Sequence, residues 1–138
     1  LRASLSHTRP RYSGEFYQYD GFAVEPCAVQ ARVPIWVGGR TLRSLRRAVR
    51  LADGWMPFGL ADTRIAEMLD NVDLPTGFEV ALPTGRAIDP LGDPAGARDR
   101  LRRLRAAGAT AVTCTVAATS AEHCSRQLAA LRDLAGGD

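Results

Sequence analysis

The sequence predicts an α/β fold in which strands and helices alternate and the strands lie parallel in one sheet. Three observations predict it. Four short apolar or β-branched runs begin near Ile35, Trp55, Phe78 and Ala111, and each is followed by apolar residues at helical spacing. The joins are short and carry glycine, proline or a capping residue. Repeated strand–helix units of this kind require right-handed crossovers, and hence a parallel sheet. Four such units make either a small open sheet or half of an eight-stranded barrel. A whole (β/α)8 barrel takes about 250 residues, and the chain has 138.

Residues 1–33 read as an irregular, aromatic-rich leader or insertion loop, and 34–138 as the βα units. Arg9 to Glu15 carries turn chemistry, and Phe16 to Phe22 alternates towards a short strand or hairpin ending in the Asp20-Gly21 turn. Tyr12, Phe16, Tyr17, Tyr19 and Phe22 either pack this long loop over a scaffold or line a ligand mouth. Glu25-Pro26 and Val33-Pro34 hold the approach to the first strand extended.

Ile35, Trp36 and Val37 form an apolar run that reads as a buried strand. Gly38 and Gly39 turn the chain, and Arg40 and Thr41 lead into a helix with Leu42, Leu45, Val49 and Ala52 on one side. Arg43, Arg46, Arg47 and Arg50 take the other side as a solvated face, which leaves Arg40 as the cation placed to meet an anion. Asp53-Gly54 ends this helix, and Trp55 to Phe58 is the next short strand. Asp62 to Asn71 is a helix with Ile65, Met68 and Leu69 on a shared face and Asp62 or Thr63 as its N-cap.

Phe78 to Pro83 is the third strand, followed by a loop in which Arg86 is either half of a surface ion pair or a charge at the strand mouth. Asp93 caps the next helix, with Pro94 at its first position. Leu101, Leu104 and Ala107 face inwards there, Arg98, Arg100, Arg102, Arg103 and Arg105 outwards, and Gly108 stops it. Ala111 to Val116 is the fourth strand. Thr119 to Glu122 caps a last helix on which Leu128, Leu131 and Leu134 line one side, and Gly136-Gly137-Asp138 frays.

The stretch from Val37 to Thr41 carries the most chemistry. A strand, a glycine turn and a helix start aim free backbone N–H groups and the positive end of the helix dipole at one point, which suits an anion such as phosphate. Glycine permits close approach of backbone to ligand and tolerates positive φ, and Thr41 either caps the helix or donates its hydroxyl. The same residues also describe a tight βα turn with a Thr cap and no ligand.

Composition narrows the classes. A 46% hydrophobic, 24% charged chain is not wholesale disordered. No apolar run is long enough to span a bilayer, and the N-terminus lacks a signal-peptide core, so no membrane partner and a cytoplasmic location are expected. The net charge of +3 is mild, and all 18 basic residues are arginine. Most of those arginines sit on helices whose opposite faces are apolar, so nucleic acid is not an expected partner. Cys27, Cys114 and Cys124 form no Cys-x-x-Cys and have no His at ligand spacing, so they read as reduced and structural, with no metal site. His123 beside Cys124 has no evident acidic orienter and reads as a surface-helix pair.

Gly14-Glu15-Phe16-Tyr17, Pro26, Gln30, Pro34 to Gly39, Leu45 to Ala48 and Ala52-Asp53-Gly54-Trp55 together resemble the second half of the luciferase-like monooxygenase superfamily. Within it they are similar to the branch of coenzyme F420-dependent oxidoreductases, and Gly92-Asp93-Pro94 and Arg105 to Thr110 are similar to that family's final repeat. The resemblance implies the C-terminal half of a (β/α)8 barrel, binding coenzyme F420 or, alternatively, FMN. It places the cofactor phosphate beside the turn after Val37, with Gly38 and Gly39 as close-approach backbone, Arg40 and Thr41 as donors, and Trp55 near the pocket. The first four βα units and the acid–base residues they carry lie outside this stretch, so it implies no catalytic residue here. The expected partners are a small-molecule substrate and either a second copy or the missing N-terminal half. Alone, the chain is expected to bind cofactor weakly or not at all and to turn over nothing. The alternative is a catalytically inactive half-barrel that self-associates or binds a phosphate-bearing ligand.

Overall fold

The computed structural model describes residues 1–136, so the fraying expected at Gly137 and Asp138 lies outside the described residues. The chain folds as two compact units, one spanning Leu1–Ile35 and the other beginning at Trp36. Among the described residues, no helix is long and apolar enough to cross a membrane.

The first unit is more regular than its sequence suggests. It contains a short helix α1 (Arg2–Leu5) and an antiparallel hairpin of β1 (Tyr12–Ser13) and β2 (Gln18–Tyr19). The hairpin turns at Gly14 to Tyr17, where the Gly14 amide donates to the Tyr17 carbonyl at 2.9 Å, and not at Asp20-Gly21. Cross-strand aromatic packing selects this register. Tyr12 and Tyr19 are paired, and their rings stack at 5.6 Å. Phe22 closes on Tyr19 at 5.0 Å, and the Tyr19 hydroxyl shares a 2.6 Å hydrogen bond with Ser4. Phe16 and Tyr17 at the hairpin tip stay exposed.

The second unit runs β3 (Trp36–Gly38), α2 (Leu42–Leu51), β4 (Gly54–Met56), α3 (Asp62–Leu69), β5 (Glu79–Pro83), α4 (Pro94–Ala106), β6 (Ala111–Thr113) and α5 (Ala121–Ala135). Its strands are parallel throughout and lie in the order β3-β4-β5-β6. Each crossover therefore moves one strand further in the same direction. A doubly wound sheet reverses that direction at a switch point; a barrel does not. The unit is thus a half-barrel segment of four βα units.

One layer of core lies between sheet and helices. Leu45 and Ala48 of α2, Trp55 of β4, Ile65 and Met68 of α3, Val80 and Leu82 of β5 and Leu104 of α4 form a single buried cluster. Strand alternation accounts for it: Trp55, Val80 and Leu82 point to the helices, while Trp36 and Glu79 lie on the opposite face and join through a 2.7 Å hydrogen bond from Trp36 Nε1. Gly54 makes that bond possible, because a Cβ there would stand 2.7 Å from the Trp36 ring.

Several local expectations are corrected. The strand at Trp36 is not buried: β3 is an edge strand and Trp36 is 39% exposed. Neither Asp62 nor Thr63 caps α3; Ala61 takes the N-cap position without a side-chain bond, and Asp62 lies in the first turn. There Asp62 pairs with Arg100, which is half-buried and not outward-facing. Arg100 also donates to the Thr84 carbonyl at 3.0 Å and the Pro83 carbonyl at 3.3 Å, tying α4 to α3 and to the end of β5. On α5, Leu128 is exposed and Gln127 is the fully buried residue. The caps at Asp93 and Ser120 and the stop at Gly108, with φ +98, match expectation.

Arg100→Ala is expected to lower stability by about 1–3 kcal/mol, since a charged donor leaves two carbonyls and a carboxylate together. Arg100→Lys should recover only part of that, because one ammonium does not span three acceptors. Urea midpoints of the variants check both.

Candidate functional site

The turn from β3 to α2 sits at the C-terminal ends of the parallel strands, the end at which βα folds build their sites. Gly39 carries φ +150, and a Cβ on it would stand 2.4 Å from the Ser44 Cβ. Glycine at 39 is therefore required by the protein's own packing. At Gly38 a Cβ would make only ordinary contacts, with the Met56 carbonyl at 3.7 Å and the Phe58 ring at 3.8 Å, so the protein's packing does not demand glycine there.

Thr41 is the N-cap of α2, and Ser44 closes a capping box with it. The Ser44 amide donates to Thr41 Oγ1 at 3.2 Å, and the Thr41 amide donates to Ser44 Oγ at 3.3 Å. Ser44 Oγ in turn donates to the Thr41 carbonyl at 2.7 Å and accepts from Trp55 Nε1 at 3.3 Å. The box spends the Thr41 amide internally. Among the described residues the amide of Gly39 faces the Met56 carbonyl in the β3–β4 ladder, whereas those of Arg40, Leu42 and Arg43 make no hydrogen bond within the protein. They are the orphan donors of a helix start, where the dipole also favours negative charge. Arg40 has its guanidinium 5.9 Å above the Phe58 ring and no carboxylate beside it among the described residues.

Of the residues singled out from sequence, Gly38, Gly39, Arg40 and Thr41 are brought together at this turn. Val37 is half-buried against the core cluster. Trp55 is fully buried in that cluster, and reaches the turn only through its bond to Ser44. Ser44 was missed by sequence reasoning, although Thr41-x-x-Ser44 has the spacing of a capping box.

A second polar cluster lies at the same end of the sheet, in the loops after β5 and β6. Gln127 donates to Asp89 at 2.6 Å and to the Ala117 carbonyl at 2.8 Å, and accepts from the Leu91 amide at 3.0 Å. His123 stands 3.3 Å from Gln127 and 3.2 Å from the Thr119 hydroxyl. The Gln127 hydrogen bond, followed by the Gly92 amide, holds the Asp89 carboxyl below its ordinary value. A depressed acid stabilises the fold above its unfolded value of 3.8 and loses that contribution as pH falls through its lower native value. Stability of the wild type is thus expected to fall on acidification below that range. Asp89→Asn should lack this component, a difference read from urea midpoints taken down the acid limb.

A search of curated proteins gives no match. A family model described as luciferase-like monooxygenase matches residues 1–135, across both compact units. The chain belongs to the luciferase-like monooxygenase family.

Proposed function

We propose that this chain supplies the phosphate-binding turn of an oxidoreductase that uses coenzyme F420 or, alternatively, FMN. Family membership supports a flavin- or F420-type oxidoreductase in general. The observation that carries the finer reading is the set of amides at Arg40, Leu42 and Arg43, which among the described residues have no partner, next to Gly38, where a methyl fits without collision. That donor set fits a phosphate: N–H groups, a helix N-terminus and an unpaired guanidinium, with no acid in the first turn of α2 to oppose it. The Thr41 hydroxyl, already accepting from Ser44, has its own proton to give outward. When bound, the cofactor supplies the two-electron hydride chemistry, and this chain's residues hold and orient it. Trp55 acts at one remove, fixing Ser44 and through it the cap. The substrate is a small molecule, the leader comprises 1–33 and the half-barrel 34–138.

The test is Gly38→Ala, followed by amide NMR of the purified chain titrated with FMN. The wild type should shift the resonances of Arg40, Leu42 and Arg43. The added methyl should leave the unfolding midpoint within about 0.5 kcal/mol and suppress those shifts. Equal shifts in both proteins would sink the phosphate assignment.

One observation favours a second reading. The sheet face away from the helices carries Trp36 and Met56, each 39% exposed, and among the described residues β3 pairs on one side only, with β4. Parallel sheets are ordinarily covered on both faces, and open edges invite pairing. Self-association of the half-barrel would serve both needs. A dimer by sedimentation that Met56→Arg on the exposed face dissociates supports it, and a wild-type monomer at high concentration excludes it.

A further inference from the structure

Helix α2 carries Arg43, Arg46, Arg47 and Arg50, and these four line a groove of about 580 Å³ together with Thr41 and Ser44. Their spacing along the helix makes each a neighbour, three or four residues away, of two others, and like charges at those spacings destabilise a helix. Arg43 lies in the first turn, against the positive end of the dipole, and that turn has no acidic residue. No carboxylate pairs with any of the four among the described residues.

The arginine-rich α4 is built differently. There Arg100 pairs with Asp62, Arg103 with Asp99, and Arg105 donates to the Ala135 carbonyl. High arginine content alone would leave both helices alike. Among the described residues the protein meets three of the five arginines of α4, leaving Arg98 and Arg102 in solvent, whereas on α2 it meets none of the four and gathers them in a single groove.

From this contrast we infer that the α2 groove is a binding site for a small linear polyanion, of the polyphosphate class. The stripe from Arg43 to Arg50 extends about 10 Å along the helix at 1.5 Å per residue, longer than one phosphate and suited to several anionic groups in a row. Guanidinium forks match phosphate oxygens two at a time, and the half-open groove lets the remaining charge stay in water. The groove begins beside the β3–α2 turn, sharing Thr41 and Arg43 with it, and runs on along α2 to Arg46, Arg47 and Arg50, which the turn does not use.

The experiment is calorimetric titration of the purified chain with inorganic tripolyphosphate and, separately, orthophosphate. Tripolyphosphate should bind at least tenfold tighter than orthophosphate, with an affinity that falls steeply as salt rises. The double variant Arg46→Glu, Arg50→Glu should lose at least tenfold in tripolyphosphate affinity. Its melting temperature should stay close to that of the wild type, because the 43–46 and 47–50 pairs become attractive while the 46–50 and 43–47 pairs stay like-charged. Arg98→Glu, Arg102→Glu changes net charge equally on α4, away from the groove, and should bind as the wild type does. Equal weakening in both double variants would mean general charge attraction only, and would overturn the inference. So would the absence of any preference for tripolyphosphate, or displacement of it by a lower concentration of single-stranded oligonucleotide. Gly38→Ala should leave tripolyphosphate binding unchanged, so failure at the turn and failure in the groove are read separately.

Discussion

Trp55→Ala is expected to cost about 3–5 kcal/mol, the range for emptying a large buried aromatic site. Against a total stability of roughly 5–15 kcal/mol for a domain, that is enough to leave much of the half-barrel unfolded. Trp55 has no exposed surface and stands where α2, α3 and the middle of the sheet meet, among Leu45, Ala48, Ile65, Met68 and Val80. The neighbours come from a sheet and two helices whose backbones are fixed by their own hydrogen bonds, so the site collapses little. Trp55→Phe separates packing from bonding. It keeps most of the ring and removes the indole N–H that Ser44 accepts at 3.3 Å, with an expected loss of about 1–2 kcal/mol. Under this account the Phe variant also loosens the β3–α2 turn, seen as faster hydrogen exchange at Thr41 and Ser44. Urea midpoints for both variants, and exchange rates for the second, check the pair. An alanine variant within about 1 kcal/mol of the wild type would contradict the burial argument.

The alternation of units was legible because each strand–helix join carries its own local chemistry. Asp93-Pro94 opens α4, Ser120 opens α5, and Gly108 closes α4 in a backbone conformation that suits glycine. These signals act within a few residues, so one sequence displays them. The turn from Gly38 to Thr41 was legible for the same reason. What was not legible depends on partners far along the chain. Arg100 looks like any outward arginine of α4 until Asp62, 38 residues earlier, is placed beside it. Gln127 looks like a surface glutamine until the loop from Asp89 to Leu91 closes over it. Trp36 reads as buried because its run is apolar, and only sheet order reveals that β3 is an edge. Helical spacing also misplaced Leu128: the neighbouring stripe, through Gln127, is the one that turns inward.

The two glycines of the β3–α2 turn should respond in opposite ways, and Gly39→Ala is the second large effect expected. At φ +150 an L-residue is strained, which costs about 1–3 kcal/mol. The added methyl would stand 2.4 Å from the Ser44 Cβ and 2.5 Å from its Oγ. Ser44 has nowhere to retreat. Its hydroxyl donates to the Thr41 carbonyl and accepts from the Thr41 amide and the Trp55 indole, and the residue is itself buried. Overpacking of this kind adds about 1–3 kcal/mol, so the variant should be destabilised by about 2–6 kcal/mol in all, in contrast to the near-silent Gly38→Ala. Relief has a defined route: Ser44→Gly in the Gly39→Ala background removes the atoms that collide while leaving the backbone strain. Part of the lost stability, and not all of it, should then return. The cycle of Gly39→Ala, Ser44→Gly and the double variant, read by urea denaturation, measures the coupling between the two positions directly. Strict additivity would mean that the side chains do not meet, and that glycine at 39 answers to backbone conformation alone.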